Sequence, residues 1–126
     1  MTRRRFLYRF AQGMLLLLLL PVLNGCDKQE PAEPTLKVDI TRYWLGKDRD
    51  NRVGIRFEVN TDWRVEVRYA GQDRGWLYVT PGSGHAGENS LTVTTTAVNT
   101  SGAVRTAYVD IEYASCMCRL SITQEG

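Results

Sequence analysis

The sequence has one histidine and three cysteines among its 126 residues. A His-rich metal site, or a catalytic apparatus built around several imidazoles, is therefore excluded from the start. No cysteine falls between residues 27 and 115, so no disulfide can join the middle strands of whatever fold the chain adopts. No apolar run approaches the roughly 18 residues a bilayer-spanning helix needs. The longest, Met14 to Leu20 followed by Val22 and Leu23, is interrupted at Gln12, Gly13 and Pro21. Helical periodicity is also wanting, since no stripe of apolar residues recurs at a spacing of three to four over a useful length. The first 25 residues contain no acid.

That last absence is informative because the same segment carries Arg3, Arg4, Arg5 and Arg9 ahead of the apolar run. Basic residues followed by a short apolar stretch form the order of a secretory signal. The stretch closes on Leu23-Asn24-Gly25-Cys26, which resembles a lipobox. The resemblance implies cleavage between Gly25 and Cys26 and a diacylglyceryl group on the Cys26 thiol. Two or three acyl chains make a stable anchor, because each buried methylene contributes about 0.8 kcal/mol and one chain holds only marginally. Residues 1–25 are thus expected to be a lipoprotein signal peptide, and residues 26–34, with Pro31 and Pro34 in a charged setting, a solvated tether. The expected location is an exported, membrane-anchored lipoprotein, on the periplasmic face of the outer membrane or at the cell surface.

Without residues 1–25, four of the sixteen basic residues go. The remaining 101 residues hold 12 Lys+Arg against 14 Asp+Glu, a net charge of −2. The basicity belongs to targeting, and no basic patch argues for nucleic acid. About 100 residues suffice for one two-layer core.

From residue 35 onward apolar and polar residues alternate with period two, the pattern of strands with one buried face. Leu36, Val38 and Ile40 alternate with Lys37, Asp39 and Thr41; Val53, Ile55, Phe57 and Val59 with Arg56 and Glu58; Trp63, Val65, Val67 and Tyr69 with Arg64, Glu66 and Arg68. Further runs cover residues 76–80, 91–98, 107–113 and 118–124, and turn-forming residues separate them, notably the glycine-rich stretch 81–87. Seven short antiparallel strands in about 90 residues predict an all-β, immunoglobulin-like β-sandwich over residues 35–126.

Chemistry-bearing residues are sparse. His85 lies in the glycine-rich stretch, where a solvated imidazole is the ordinary outcome, and a nucleophile pair with Cys116 or Cys118 requires the fold to bring them together. Cys116-Met117-Cys118 offers soft ligands, yet only His85 could supplement the two thiols, so no metal and no cofactor is expected. Along a strand, residues two apart lie about 6.6 Å from each other, beyond the roughly 3.5 to 4.5 Å that bridged Cβ atoms require, so a disulfide within the triplet needs a curled turn. A hairpin with Cys118 turned to the core beside Leu120, leaving Cys116 as an exposed thiol, is the plain alternative. Residues 47–52 lack the glycine and distal glutamate of a calcium loop and read as a charged turn. No enzyme is expected. The aromatics are the better candidates for binding, because sugar rings stack on exposed Trp and Tyr faces. Trp63 heads an inward-alternating strand and is assigned to the core. Trp44, at the end of the first strand, and Trp76 and Tyr78, on one face of their run, are the candidate ligand-binding residues.

Taken in order, Phe57-Glu58-Val59-Asn60 with Asp62-Trp63, then residues 76–79 with Pro81 and Gly84, then residues 93–97 with Asn99, resemble the BACON domain of Bacteroidetes proteins. The alternation of Arg105, Ala107, Val109 and Ile111 and the closing Ile122-Thr123-Gln124 match its last two strands. The likeness covers residues 53–126, with residues 36–41 as the first strand. It implies an exported immunoglobulin-like module of the kind joined to glycoside hydrolases or proteases, with carbohydrate, including mucin glycans, as ligand, or else a spacer role. Two departures stand out: the sequence shows no catalytic domain, and the Cys116 to Cys118 triplet is not part of the family pattern. The leading expectation is a lipid-anchored, noncatalytic glycan-binding or adhesion module; its rival is a structural spacer or interaction subunit that meets a surface protein through an edge strand or a sheet face.

Overall fold

Val53, Ile55, Phe57 and Val59 can share one face only if the backbone is extended, and the computed structural model, which describes residues 33–126, shows that extension as a strand from Arg52 to Val59. Nine strands form among the described residues: β1 (Leu36–Val38), β2 (Arg42–Leu45), β3 (Arg52–Val59), β4 (Trp63–Tyr69), β5 (Leu77–Thr80), β6 (Ser83–Gly84), β7 (Gly87–Thr95), β8 (Arg105–Tyr113) and β9 (Cys116–Gln124). They make two sheets, one ordered β1-β3-β7-β5 and the other β2-β9-β8-β4-β6. The folded unit spans Pro34–Gly126. The expected signal peptide, Cys26 and most of the tether lie outside the described residues.

The core sits between the two sheets and is filled by the residues that the alternation turns inward. Ile55 opposes Leu91 and Val53 opposes Val93 in one sheet, while Val67 opposes Val109 and Leu120 opposes Val109 in the other. Leu91, Val93, Val109, Ile111, Leu120 and Ile122 are fully buried. Trp63, buried as its place in the alternation requires, ties the layers together by meeting Phe57 edge-on, with ring centroids 4.9 Å apart and planes at 81°. That edge-to-face geometry sets the positive rim of one ring against the negative face of the other. Gly84 makes room for it, since a Cβ there would fall 2.5 Å from the indole.

At one end of the core a polar plug replaces apolar packing. The buried Gln124 donates from Nε2 to the carbonyls of Lys47 (3.1 Å) and Ala97 (3.0 Å), and its Oε1 accepts from Arg105 Nε at 2.8 Å. Every polar atom of the amide thus has a partner, as burial demands.

The all-β, immunoglobulin-like sandwich agrees with the expectation from sequence, but two details differ from seven antiparallel strands. The run 36–41 is not one strand. β1 pairs with β3 up to Val38, then residues 39–41 cross to the other sheet, where β2 pairs with β9. Having crossed without reversing, β2 runs parallel to β9, with Arg42 opposite Ser121 and Trp44 opposite Thr123. Alternation reports which side chains face inward and is blind to which sheet a strand joins, so the crossing left no mark in the pattern. The second difference is β6, two residues of the glycine-rich stretch that pair with Trp63 and Arg64. The last hairpin is also tighter than expected: Ala114, at φ 55°, and Ser115 alone make the turn, and Cys116 already lies in β9.

Candidate functional site

The inward set of β8, namely Ala107, Val109 and Ile111, places Thr106, Tyr108, Asp110 and Glu112 on the outer face of the five-stranded sheet. In β9 the same parity turns Arg119, Ser121 and Thr123 outward, and in β2 it turns out Arg42 and Trp44. Register then assembles them. Trp44 stands beside Thr123, Ser121 lies between Arg42 and Tyr108, and Arg119 lies beside Asp110. Together Arg42, Trp44, Tyr108, Arg119, Ser121 and Thr123 line an open depression of about 400 Å³.

Asp110 organises this face. Its carboxylate is buried, 1% exposed, beneath two arginines: Arg119 binds it with both Nε (2.9 Å) and Nη2 (3.0 Å), and Arg68 Nε reaches it at 3.1 Å. Arg68 is itself held by Glu66 at 3.2 Å. The hydrogen bonds from Arg119 pull the Asp110 carboxyl below the usual carboxylate range, against the upward push of burial, and Arg68 adds to the lowering. With its fork fixed in this way, the Arg119 guanidinium lies 4.5 Å from the centroid of the Tyr108 ring. The face therefore combines an exposed indole, a phenol ring braced by a cation, and hydroxyl groups that can donate or accept.

The three aromatic candidates do not come together. Trp44 is 63% exposed and lies on this face. Tyr78 is 58% exposed but projects from the outer face of the opposite sheet, beside Thr94. Trp76 is corrected from candidate ligand-binding residue to core: it is 1% exposed, packed against Tyr69 at 5.8 Å and against the Arg105 guanidinium at 4.8 Å. The reason is local. β5 begins at Leu77, so strand parity does not reach back to Trp76, and the preceding Gly75, at φ 76°, turns the chain so that Trp76 and Leu77 are both buried. Tyr108 and Arg119 are the residues that sequence reasoning missed, although the alternation of Ala107, Val109 and Ile111 already implied an outward Tyr108.

The fold also keeps His85 apart from the thiols. Gly84, Trp63, Tyr113 and Cys116 follow one another across four strands, so His85, next to Gly84, is roughly 14 Å from Cys116 by strand spacing. Its side chain is 92% exposed and its Nδ1 meets Asp62 at 3.0 Å. Cys116 and Cys118 are free thiols; Cys118 faces the core, and burial above all raises its pKa, with Asp110 adding to the rise. Among the described residues no three His, Cys, Asp or Glu side chains gather as a metal-binding group.

Comparison with known proteins bears on this arrangement. The model of the viral BACON domain matches residues 35–126. The chain belongs to the BACON family. The matching model is the viral form of the domain, where the sequence resemblance had pointed to Bacteroidetes modules. No curated protein matches the chain. Among solved structures, this BACON domain is similar to part of a Bacteroides ovatus GH5 xyloglucanase in complex with a XXXG heptasaccharide, at 17% identity and a TM-score of 0.60. The match covers 72% of this chain and 19% of the xyloglucanase chain. It is also similar to a chain of the CsuC-CsuE chaperone-tip adhesion subunit complex of Acinetobacter baumannii, at 13% identity and a TM-score of 0.53, covering 73% of this chain and 57% of that one. The YadV chaperone gives 14% identity and a TM-score of 0.53 over 71% of this chain and 51% of its own. At such identities the likeness establishes a shared sandwich fold.

Proposed function

We propose that the chain is a noncatalytic carbohydrate-binding or adhesion module, held at a membrane by lipid on Cys26, and that glycan lies on the outer face of the five-stranded sheet. The observation that carries this reading is the placement of exposed Trp44 and arginine-braced Tyr108 on one face with Ser121 and Thr123 between them. By strand spacing and rise the two aromatic residues are roughly 12 Å apart, a span that a short oligosaccharide covers with hydroxyl partners beneath it. The xyloglucanase similarity supports the reading only through the fold, since that match covers 19% of the enzyme.

The test is binding of residues 27–126 to an array of plant and host glycans. Trp44→Ala and Tyr108→Ala are each expected to weaken binding roughly tenfold or more, about 1.4 kcal/mol, while Tyr78→Ala on the far sheet leaves it unchanged. A folded domain that binds no glycan would overturn the assignment.

Anchoring is tested separately. In cells, Cys26→Ala is expected to move the protein from the membrane fraction to the soluble fraction, because it removes the acyl acceptor. Retention in the membrane fraction would defeat that part of the proposal.

A further inference from the structure

β9 is paired with β8 along its whole length, but on its other side β2 accompanies it only from Ser121 to Gln124. Among the described residues no strand pairs with residues 116–120 on that side. The backbone groups there alternate in direction. Ser121 N–H donates to the Thr41 carbonyl at 2.8 Å and Glu125 N–H to the Leu45 carbonyl at 2.9 Å, so odd-numbered residues of β9 aim away from β8. Met117 and Arg119 therefore point their N–H and C=O groups at the open edge. Cys116 and Cys118 aim theirs at β8 and stand at non-hydrogen-bonded positions toward any strand that adds there.

We propose that two copies of this chain join by antiparallel pairing of residues 117–119 along this edge, and that the Cys118 thiols of the two copies close a disulfide across the two-fold axis. The register is self-complementary. Centred on Cys118, it sets Met117 opposite Arg119 of the second copy as a hydrogen-bonded pair, and the reverse on the other side. Cys118 then faces Cys118 of the second copy as a non-hydrogen-bonded pair, whose Cα separation of about 4.5 Å lies within the roughly 4.4 to 6.8 Å that a disulfide spans.

A second copy is the occupant favoured by three observations. Both thiols are free, and within one extended strand they cannot bridge each other. No like charges oppose in this register, and the Arg119 guanidinium is already neutralised by Asp110. On the comparable open edge of the other sheet, residues 52–56 of β3, the register centred on Gly54 would set Arg52 directly opposite Arg56 of a second copy, which is repulsive.

Closure of the bond is an oxidation. The two Cys118 thiols give up two electrons and two protons to a disulfide oxidant such as oxidised glutathione, which becomes two molecules of reduced glutathione.

The experiment uses the full chain carrying Cys26→Ala, so that Cys116 and Cys118 are its only thiols, incubated with oxidised glutathione and resolved by non-reducing electrophoresis. A covalent dimer is expected in this protein and with Cys116→Ser added, reversible by dithiothreitol, with a Cys118–Cys118 crosslinked peptide in the digest. Adding Cys118→Ser should reduce the dimer at least tenfold. So should Met117→Pro, which deletes an N–H on the open edge and leaves the β8 ladder intact. A chain that stays monomeric, a dimer linked through Cys116, or undiminished crosslinking in Met117→Pro would overturn the proposal.

Discussion

Trp76→Ala is expected to lower the unfolding free energy by about 3–5 kcal/mol, the range for deleting a large buried aromatic side chain. The ring is fully enclosed, and its loss would empty the space between Tyr69 and the Arg105 guanidinium. Arg105 is itself engaged with Gln124 and Asp73, so it cannot swing in to fill the void without giving up those bonds. For a domain of this length, about 1 kcal/mol corresponds to roughly 4–8 °C in melting temperature, so the variant should melt far below the parent. Trp44→Ala, at an exposed position, should stay within about 0.5 kcal/mol of it. Thermal and urea unfolding of the two variants side by side separate a core tryptophan from one free to meet a ligand. Equal effects would contradict the placement of both.

The second large effect belongs to Asp110. Arg119→Ala removes both charge-assisted bonds of a bidentate pair and leaves the buried carboxylate to Arg68 alone. A clear loss of stability is expected, because the buried carboxylate keeps only one of its two cationic partners. Because the Asp110 carboxyl is lowered in the folded state, its contribution is complete above the unfolded pKa and disappears as pH falls through the folded value. The window therefore lies below about pH 4. Between about pH 5 and about pH 2 the parent should lose more stability than Asp110→Asn, which has no proton to take up there. Urea titrations across that interval decide the point, and parallel curves for the two proteins would remove Asp110 from the acid limb.

Much of the sandwich could be read from the residues because a half-buried strand writes its burial into every second position. Val53, Ile55, Phe57 and Val59 specified their inward face without help, and Trp63, in phase with Val65 and Val67, was placed in the core by the same rule. What period two cannot encode is the identity of the neighbouring strand. Nothing in residues 36–45 marks the passage from one sheet to the other, because a side chain facing the shared core does so equally well from either layer. The candidate site was legible only in part. Trp44 lies outward as a stacking residue must, but Tyr108, its companion, is marked only indirectly, by falling between the inward Ala107 and Val109. Trp76 misled because a tryptophan one residue outside a strand has no phase, and its orientation is decided by the turn at Gly75. Arg119 required the register itself, since Asp110 comes opposite it only once β8 and β9 are paired.

The crossing at residues 39–41 has a mechanical consequence. Tension entering at Pro34 would first peel β1 from β3, one antiparallel pair after another, ending at Val38 opposite Phe57. Behind that seam the pull meets β2, where the carbonyls of Thr41 and Leu45 are fastened to Ser121 of the final strand and to Glu125 just past its end. Load borne by the leading end is thereby handed from one layer to the other, and the opening strand works as a clasp across the sandwich.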